Sequence, residues 1–303
     1  MIIQNPPVPL NDHLWMLGST AYPFYLHCGS RGATLFEGGI SLMGPVVQGQ
    51  LAALGVGGDT VRQLIVTHAH PDHVMALPQL RQAFPAAQTV ASASAAKTLA
   101  TPEAIELFCR LDGALSDALV KAGKAAAAPP VAPGQQFAID RVVKDGDLIE
   151  VDEGVAYQVL ETPGHSECSL SFFEPRTKAL IVSDATGYYL PQSQSWWPNY
   201  FSDYRAYVAS MERLAALGAE VLCLSHNAAV RGADTVAIYF QGAIAATRQY
   251  HERILREMQG GQTVRQLAEV LGAEVYAQTP VLPLDFFQKN CGLLIKLSVK
   301  AAN

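Results

Sequence analysis

Sulfur, charge and long apolar runs are all scarce in this chain. Its five cysteines, Cys28, Cys109, Cys168, Cys223 and Cys291, are odd in number, and no pair has C-x-x-C spacing. A disulfide framework is therefore not expected, and a reducing cytoplasm fits. No run approaches the roughly 20 apolar residues of a membrane span. Residues 1–10 hold three prolines and no apolar h-region, so no signal peptide is expected. Charged residues are only 16% of the chain, and Asp and Glu outnumber Lys and Arg by 27 to 21. The net charge of −6 and the pI near 5.7 argue against a nucleic-acid groove as the main surface. No repeat or low-complexity tract stands out.

What is present is a globular composition. Hydrophobic residues make up 50% of 303 positions, too many for a disordered chain. The length suits one large domain with an appendage. We place a catalytic domain at 1–235 and a helical extension packed on it at 236–303.

Short apolar runs at 13–17, 24–28 and 33–36, broken by Gly and Pro, predict strands. Helix-like segments at 45–54 and 77–84 alternate with strand-like segments at 63–66 and 89–91, which gives the first half βαβ character. Residues 94–128 are Ala-rich and carry Ile105, Phe108, Leu111, Leu115 and Leu119 at helical spacing. With a closing loop to 134, this is read as a helical insertion, either plain packing or one wall of a substrate pocket. Strands are expected again at 138–143, 148–151, 156–160, 170–173 and 179–182. A helix over 204–217 follows, with Ser202 or Asp203 as its cap, then a strand at 220–224. Helices are expected at 234–258 and 264–271, the second capped by Thr263.

The densest chemistry lies in Thr67-His68-Ala69-His70-Pro71-Asp72-His73, directly after the apolar run Leu64-Ile65-Val66. Imidazole and carboxylate together bind zinc, iron or manganese. Further ligand-type residues end other apolar runs: His165 in Thr162-Pro163-Gly164-His165, Asp184 in Ile181-Val182-Ser183-Asp184, and His226 in Leu224-Ser225-His226. Of eight histidines, five occupy these positions. A lone histidine at a strand end is more often a hydrogen-bonded structural residue, and a lone Asp a turn residue or helix cap. Four such motifs in one chain, each after a strand, are much harder to explain in that way.

The H-x-H-x-D-H motif, followed in order by His165, Asp184 and His226, resembles the metallo-β-lactamase superfamily. The resemblance covers roughly residues 12–235 and implies an α+β fold, the αβ/βα sandwich of two facing mixed β-sheets with outer helices. It also implies that His68, His70 and His165 hold one divalent metal and Asp72, His73 and His226 a second, with Asp184 bridging. Zinc is the leading metal, with iron or manganese as alternatives. Glu37-Gly38-Gly39-Ile40-Ser41, Leu77-Pro78, Gly164-His165-Ser166, residues 206–214 and the helical tail resemble the PqsE-type thioesterase branch. Glu37 stands where many members have Asp, and would support a ligand His from behind. Two departures, Val74-Met75-Ala76 after the first motif and Ser225 in place of Gly, bear on site shape rather than on the ligands.

The implied activity is that of a dinuclear hydrolase, in which a bridging hydroxide attacks an ester-like carbonyl and Asp72 or Asp184 orients it or takes its proton. A thioester of the acyl-CoA type leads. A thiolate leaves with little acid assistance, and the sequence offers no evident general acid. A lactonase, a glyoxalase-II-like hydrolase, a phosphodiesterase, and a partner-binding regulator with an incidental metal site are the alternatives. Tyr188 is a candidate oxyanion donor, with Tyr189 competing. The aromatic segment 187–201 must leave the metal site next to Asp184, so Tyr189, Trp196 and Trp197 are expected to line an apolar pocket. The expected partner is a small-molecule substrate, with neither nucleic acid nor membrane. The apolar tail (Phe286, Phe287, Leu293, Leu294, Ile295) would serve either as core or as a homodimer interface.

Overall fold

A computed structural model of the chain describes residues 1–127, 137–280 and 282–303. Its core is a pair of seven-stranded sheets. The first runs in the order 8–9, 14–18, 23–29, 32–36, 61–65, 88–92 and 141–143. Its early pairings are antiparallel, and from Gly32–Phe36 onward they are parallel. The second runs 2–3, 229–231, 221–224, 179–183, 170–174, 155–161 and 148–152. It is antiparallel except where Ala179–Ser183 pairs parallel with Val221–Leu224. The N-terminal strand Ile2–Ile3 crosses over to pair with Ala229–Arg231.

Side chains alternate between the faces of a strand, so a strand covered on both faces needs apolar residues at every position. Residues 179–182 and Val221–Leu224, at the centre of the second sheet, come closest to this. Ala179 and Ile181 face the core between the sheets, whereas Leu180 and Val182 face the outer helices. In the first sheet Ile65 points inward, while Leu64 and Val66 join the helix-facing cluster. Tyr25, Phe36, Tyr157 and Phe172 fill the space between the sheets. Helices Met43–Ala53, Leu77–Ala83 and Pro102–Lys121 cover the first sheet, and Tyr204–Ala215 and the C-terminal helices cover the second. The result is the four-layer αβ/βα arrangement expected above.

The insertion forms two helices, Ala93–Leu99 and Pro102–Lys121. The longer one buries Phe108 and Leu119 and seats on the short turn Pro71–His73. Its carboxylate Asp112, only 3% exposed, accepts hydrogen bonds from the Ser41 backbone N–H and hydroxyl. Of the closing loop expected at 125–134, residues 128–134 lie outside the described residues.

At the C-terminus, helices Ala233–Gln259, Val264–Gln278 and Leu284–Ala302 pack on the second sheet's outer face. Thr263 caps the second with a full capping box to Gln266, and Asp203 caps Tyr204–Ala215 through the Ala206 N–H. The helix expected at 264–271 runs a further two turns, because Leu267, Leu271 and Val275 continue its buried stripe. Phe287, Leu294 and Ile295 are core, while Phe286 and Leu293 remain partly exposed. Among the described residues, no helix is long and apolar enough to cross a membrane.

The aromatic segment after Asp184 is not the loop the sequence suggests. It folds back as a hairpin, Tyr188–Leu190 against Ser195–Trp197, pairing Tyr189 with Trp196. Both rings stack toward Tyr239 of the helix Ala233–Gln259, and a Cβ at Gly242 of that helix would fall into the Trp196 ring. Trp197 packs on Phe287. Tyr189, Trp196 and Trp197, expected to line a pocket, here clamp the hairpin to the C-terminal helices. Removing one should be costly. Trp197→Ala is expected to destabilise the protein by about 3–5 kcal/mol, the range for a buried aromatic, in urea unfolding. A loss below about 1 kcal/mol would place the ring outside the core.

Candidate metal centre

The ligand-type residues meet at one edge because the strands that carry them end there. Gly32–Phe36 and Val61–Ile65 run parallel and deliver Glu37 and the 67–73 segment. Ala179–Ser183 and Val221–Leu224 run parallel and deliver Asp184 and His226. Val155–Glu161, two antiparallel steps from Ala179–Ser183, points the same way and delivers His165. Carboxyl ends of strands are where sites form in open α/β sheets.

Two glycines make the convergence possible. A Cβ on Gly38 would come within 2.5 Å of the His73 carbonyl oxygen. Gly38 and Gly39 carbonyls accept the Ala76 and Met75 N–H groups, which locks the segment after the first motif. Gly164, at φ +127°, lies so close to the Tyr207 backbone that a side chain would collide. Val74, Met75 and Ala76 are fully buried in the core, so the first of the two departures is a packing feature.

Three groups of side chains have ligand atoms mutually within 4.8 Å: His68/His70/His165, His68/His73/Asp184 and Asp72/His73/His226. In the first, His70 Nδ1 lies 3.1 Å from His68 Nε2 and 2.9 Å from His165 Nε2. In the third, Asp72 Oδ2 lies 3.6 Å from Nε2 of both His73 and His226. Asp184 sits between them. Its Oδ2 is 3.3 Å from His73 and His165 and 3.7 Å from His68, and its Oδ1 is 3.6 Å from His226. Every one of the seven sequence-predicted ligands is in this cluster. The Asp72 side chain, about 34% exposed, marks the open side.

The nitrogens facing away from the centre are held as well. His73 Nδ1 meets Glu37 Oε2 at 2.8 Å, the role expected of Glu37. His165 Nδ1 and His226 Nδ1 donate to the carbonyls of Asn199 and Ala21 at 2.8 and 2.7 Å. His68 Nδ1 meets Ser183 Oγ at 3.0 Å; Ser183 donates to Thr67, and Thr67 donates to Glu37. Ser225 donates its hydroxyl to Asp184 Oδ1. Such contacts fix ring orientation and tautomer. The sequence reading missed Thr67, Ser183 and Ser225 in this role. Their signal was a hydroxyl residue immediately before a ligand at a strand end.

The electrostatics suit cations. Burial holds the His68, His70 and His165 imidazoles below their usual range, His70 down to about 3; neighbouring imidazoles add to it at His68 and His70, while at His165 it prevails over Asp184. All three then present free lone pairs at neutral pH. Burial opposes charge at His73 too, but Asp72, Glu37 and Asp184 outweigh it and favour a positive ring. Burial alone would raise Asp184, yet His165, His73 and His226 hold it well below the usual carboxylate range. His73 Nε2 is buried with no hydrogen-bond partner among the described residues, aimed at two carboxylates. These residues fit divalent metal of the Zn, Fe or Mn kind.

Two aromatic rings flank His226: Tyr188 at 5.1 Å and Tyr22, edge-on, at 5.8 Å. Tyr188 is beside the centre, as expected for the candidate donor. Phe201 lies 5.4 Å from His165 and is backed by Trp197. Cys168 is buried and accepts from the Ala69 N–H, a packing role.

A model of the family described as "Metallo-beta-lactamase superfamily" matches residues 22–226, more than half of the chain. A hydroxyacylglutathione hydrolase of Rhodopseudomonas palustris (strain BisB5) is 26% identical over 163 residues, covering 54% of this chain and 47% of that protein. The same figures hold for the enzyme of strain BisB18, so the chain spans about half the length of the curated relatives it matches. Among solved structures, a metallo-beta-lactamase family protein from Thermus thermophilus superposes with a TM-score of 0.64 at 21% identity, covering 97% of this chain and 96% of that one. An archaeal superfamily protein from Sulfolobus tokodaii gives 0.56 at 18%, covering 76% and 85%. Both show the fold.

Two outcomes follow from the geometry. Glu37→Ala removes the acceptor behind His73 and is expected to weaken metal binding about 10–100-fold in chelator competition; unchanged affinity would remove Glu37 from the support. Stripped of metal, the folded protein keeps His68, His70 and His165 neutral, while an unfolded chain protonates them as pH falls through about 6.5. His73 acts in the opposite sense, three sites against one. The metal-free protein should therefore lose stability from pH 7.5 to 5.5, and Asp72 and Asp184 extend the loss below about pH 4. Thermal melts across that range check the sign; rising stability on acidification would contradict it.

Proposed function

We propose that this chain, which belongs to the metallo-β-lactamase superfamily, is a dinuclear metal-dependent hydrolase of thioesters. The observation that carries the reading is Asp184 Oδ2, within 3.3–3.7 Å of histidine nitrogens from both ligand groups. A carboxylate so placed suits two cations close together, whose mutual repulsion an anion between them relieves. A bound pair of divalent ions would lower the pKa of a shared water and polarise an acyl oxygen.

The chain's own residues supply the rest. Ser225 fixes the rotation of the Asp184 carboxylate by donating to Oδ1, which leaves Oδ2 turned toward the histidines. The buried chain from His68 through Ser183 and Thr67 to Glu37 and His73 ties the two ligand groups into one rigid unit. Asp72 is the acidic group on the open side and can take the proton released by the attacking water. Phe201 presents an apolar wall beside His165.

Support for a thioester is chemical. A thiolate leaves without a proton donor. The one further buried carboxyl nearby, Asp112, is engaged by Ser41 and unsuited to protonate a leaving group. The relative named hydroxyacylglutathione hydrolase is by its name an enzyme of acyl-glutathione, and the PqsE-type sequence features favour the same bond. In this reading the small molecule is a thioester of the acyl-CoA type, with an acyl-glutathione as the alternative.

The test is thiol release from a panel of acyl-CoA and acyl-glutathione thioesters by protein loaded with Zn, Fe or Mn. Turnover is expected with one class. Asp184→Asn should lose both metal and at least about a hundredfold in rate. Full activity in that variant would sink the mechanism, and no thiol release with any metal would sink the substrate class.

A further inference from the structure

We infer that Asn227 is a positioning residue for the ligand group Asp72, His73 and His226, an assignment that rests on the metal centre of the proposed function and not on its thioester. Its side-chain amide ties the loop that carries His226 to the hairpin that follows Asp184. The strands Ala179–Ser183 and Val221–Leu224 run side by side, but their pairing ends at Ser183 and Leu224. Asp184 and His226 lie beyond those ends, so the ladder no longer sets the distance between them. Two side-chain bonds span the gap. One is the Ser225 hydroxyl on Asp184 Oδ1. The other is Asn227 Nδ2, which donates to the Tyr189 carbonyl at 2.7 Å. Tyr189 belongs to the hairpin whose preceding ring, Tyr188, lies 5.1 Å from His226.

The backbone of Asn227 is held as firmly as its side chain. Its N–H donates to the Thr20 carbonyl at 2.8 Å, and its own carbonyl accepts from Gln4 Nε2 at 2.8 Å. His226 beside it donates from Nδ1 to the Ala21 carbonyl at 2.7 Å. Consecutive residues of the loop thus dock on consecutive carbonyls of one turn. That turn is rigid in its own right. Gln50 clamps Gly18 through both its N–H and its carbonyl, at 2.6 and 2.9 Å, and Ser19 accepts the Tyr22 N–H on its hydroxyl. Position 227 also sits at φ +68°, in the left-handed region that asparagine tolerates because its short amide can bond locally. The two demands together select the residue type. Glycine would take the backbone angle without the amide, alanine would supply neither, and a carboxylate would set an acceptor against the Tyr189 carbonyl. One residue next to a ligand therefore joins the turn, the His226 loop and the hairpin, and contacts of this kind fix how a ligand is presented.

The experiment titrates zinc against a competing chelator in full-length wild type, Asn227→Gly and Asn227→Ala, each also combined with His226→Ala. The thermal midpoint of each metal-free protein is recorded beside it. Asn227→Gly should weaken one zinc about tenfold and hold the other within about threefold, with the midpoint within about 3 °C of wild type. Asn227→Ala should lose at least as much zinc affinity and show a lower midpoint, because alanine is strained at a positive φ. Once His226→Ala has removed the ligand, Asn227→Gly should change the remaining zinc by less than about threefold. A merely structural role would weaken both zincs, with or without His226. That result overturns the inference, as does Asn227→Gly binding both zincs within about threefold of wild type. A wild type that takes up no zinc overturns the metal reading and this inference together. Absent thiol release bears on the thioester alone, since the titration decides on Asn227 without it.

Discussion

The structure is organised around one buried carboxylate. Asp184, about 3% exposed, is surrounded by imidazole nitrogens from both sheets. A charge removed from water is costly unless it is paired. Its pairing requires residues separated by more than a hundred positions, so both sheets must end their strands at the same edge. The second sheet is antiparallel except between the strands that lead to Asp184 and His226, and the first turns parallel from Gly32–Phe36 onward, where Glu37 and the 67–73 segment emerge. A purely antiparallel meander would send alternate strand ends, and with them half of the ligands, to the opposite edge.

Cations and protons compete for the same place. Three carboxylates, Asp72, Glu37 and Asp184, hold the His73 ring positive, while burial and mutual proximity keep His68, His70 and His165 neutral. One half of the cluster thus offers lone pairs and the other an excess of carboxylate charge. Divalent ions satisfy both at once. The hydroxyls of Thr67, Ser183 and Ser225 supply the directional bonds that an ion does not. Two residues here hold left-handed backbones without being glycine, Glu37 at φ +78° and Ser183 at φ +49°. Each directly follows or ends a strand and turns a polar group back under a ligand, and local strain of this kind concentrates at functional sites.

The ligands were legible because chemistry of that density has few other uses, and because every ligand follows an apolar strand. The strands were legible because short runs rich in apolar residues, such as 179–182 and Val221–Leu224, end in turn residues. The supporting shell was less so. A serine before Asp184 or His226 looks like any turn residue until the partner strand is known, and the carbonyls of Ala21 and Asn199 carry no side-chain signature at all. Ser225, which departs from a glycine pattern, proves to be a donor to the Asp184 carboxylate. Phe201 lies in a segment so rich in aromatics that composition could not single it out.

The aromatic segment shows why. Read as a loop, its rings are equivalent, and proximity to Asp184 favours them all as pocket wall. As a hairpin, it obeys the two-residue alternation of a strand. Tyr188 pairs with Trp197 and Tyr189 with Trp196, so neighbouring residues must point to opposite faces. Tyr188 reaches His226, and Trp197 backs Phe201 beside His165; Tyr189 and Trp196 turn to Tyr239 and the gap left by Gly242. That gap is why a glycine sits inside a 27-residue helix, where it would otherwise cost about 1 kcal/mol against alanine. The C-terminal helices are therefore coupled to the centre through the hairpin, whose Trp197 meets both Phe287 and Phe201, and through Tyr239, whose hydroxyl lies 3.0 Å from that of Thr186, two residues after Asp184.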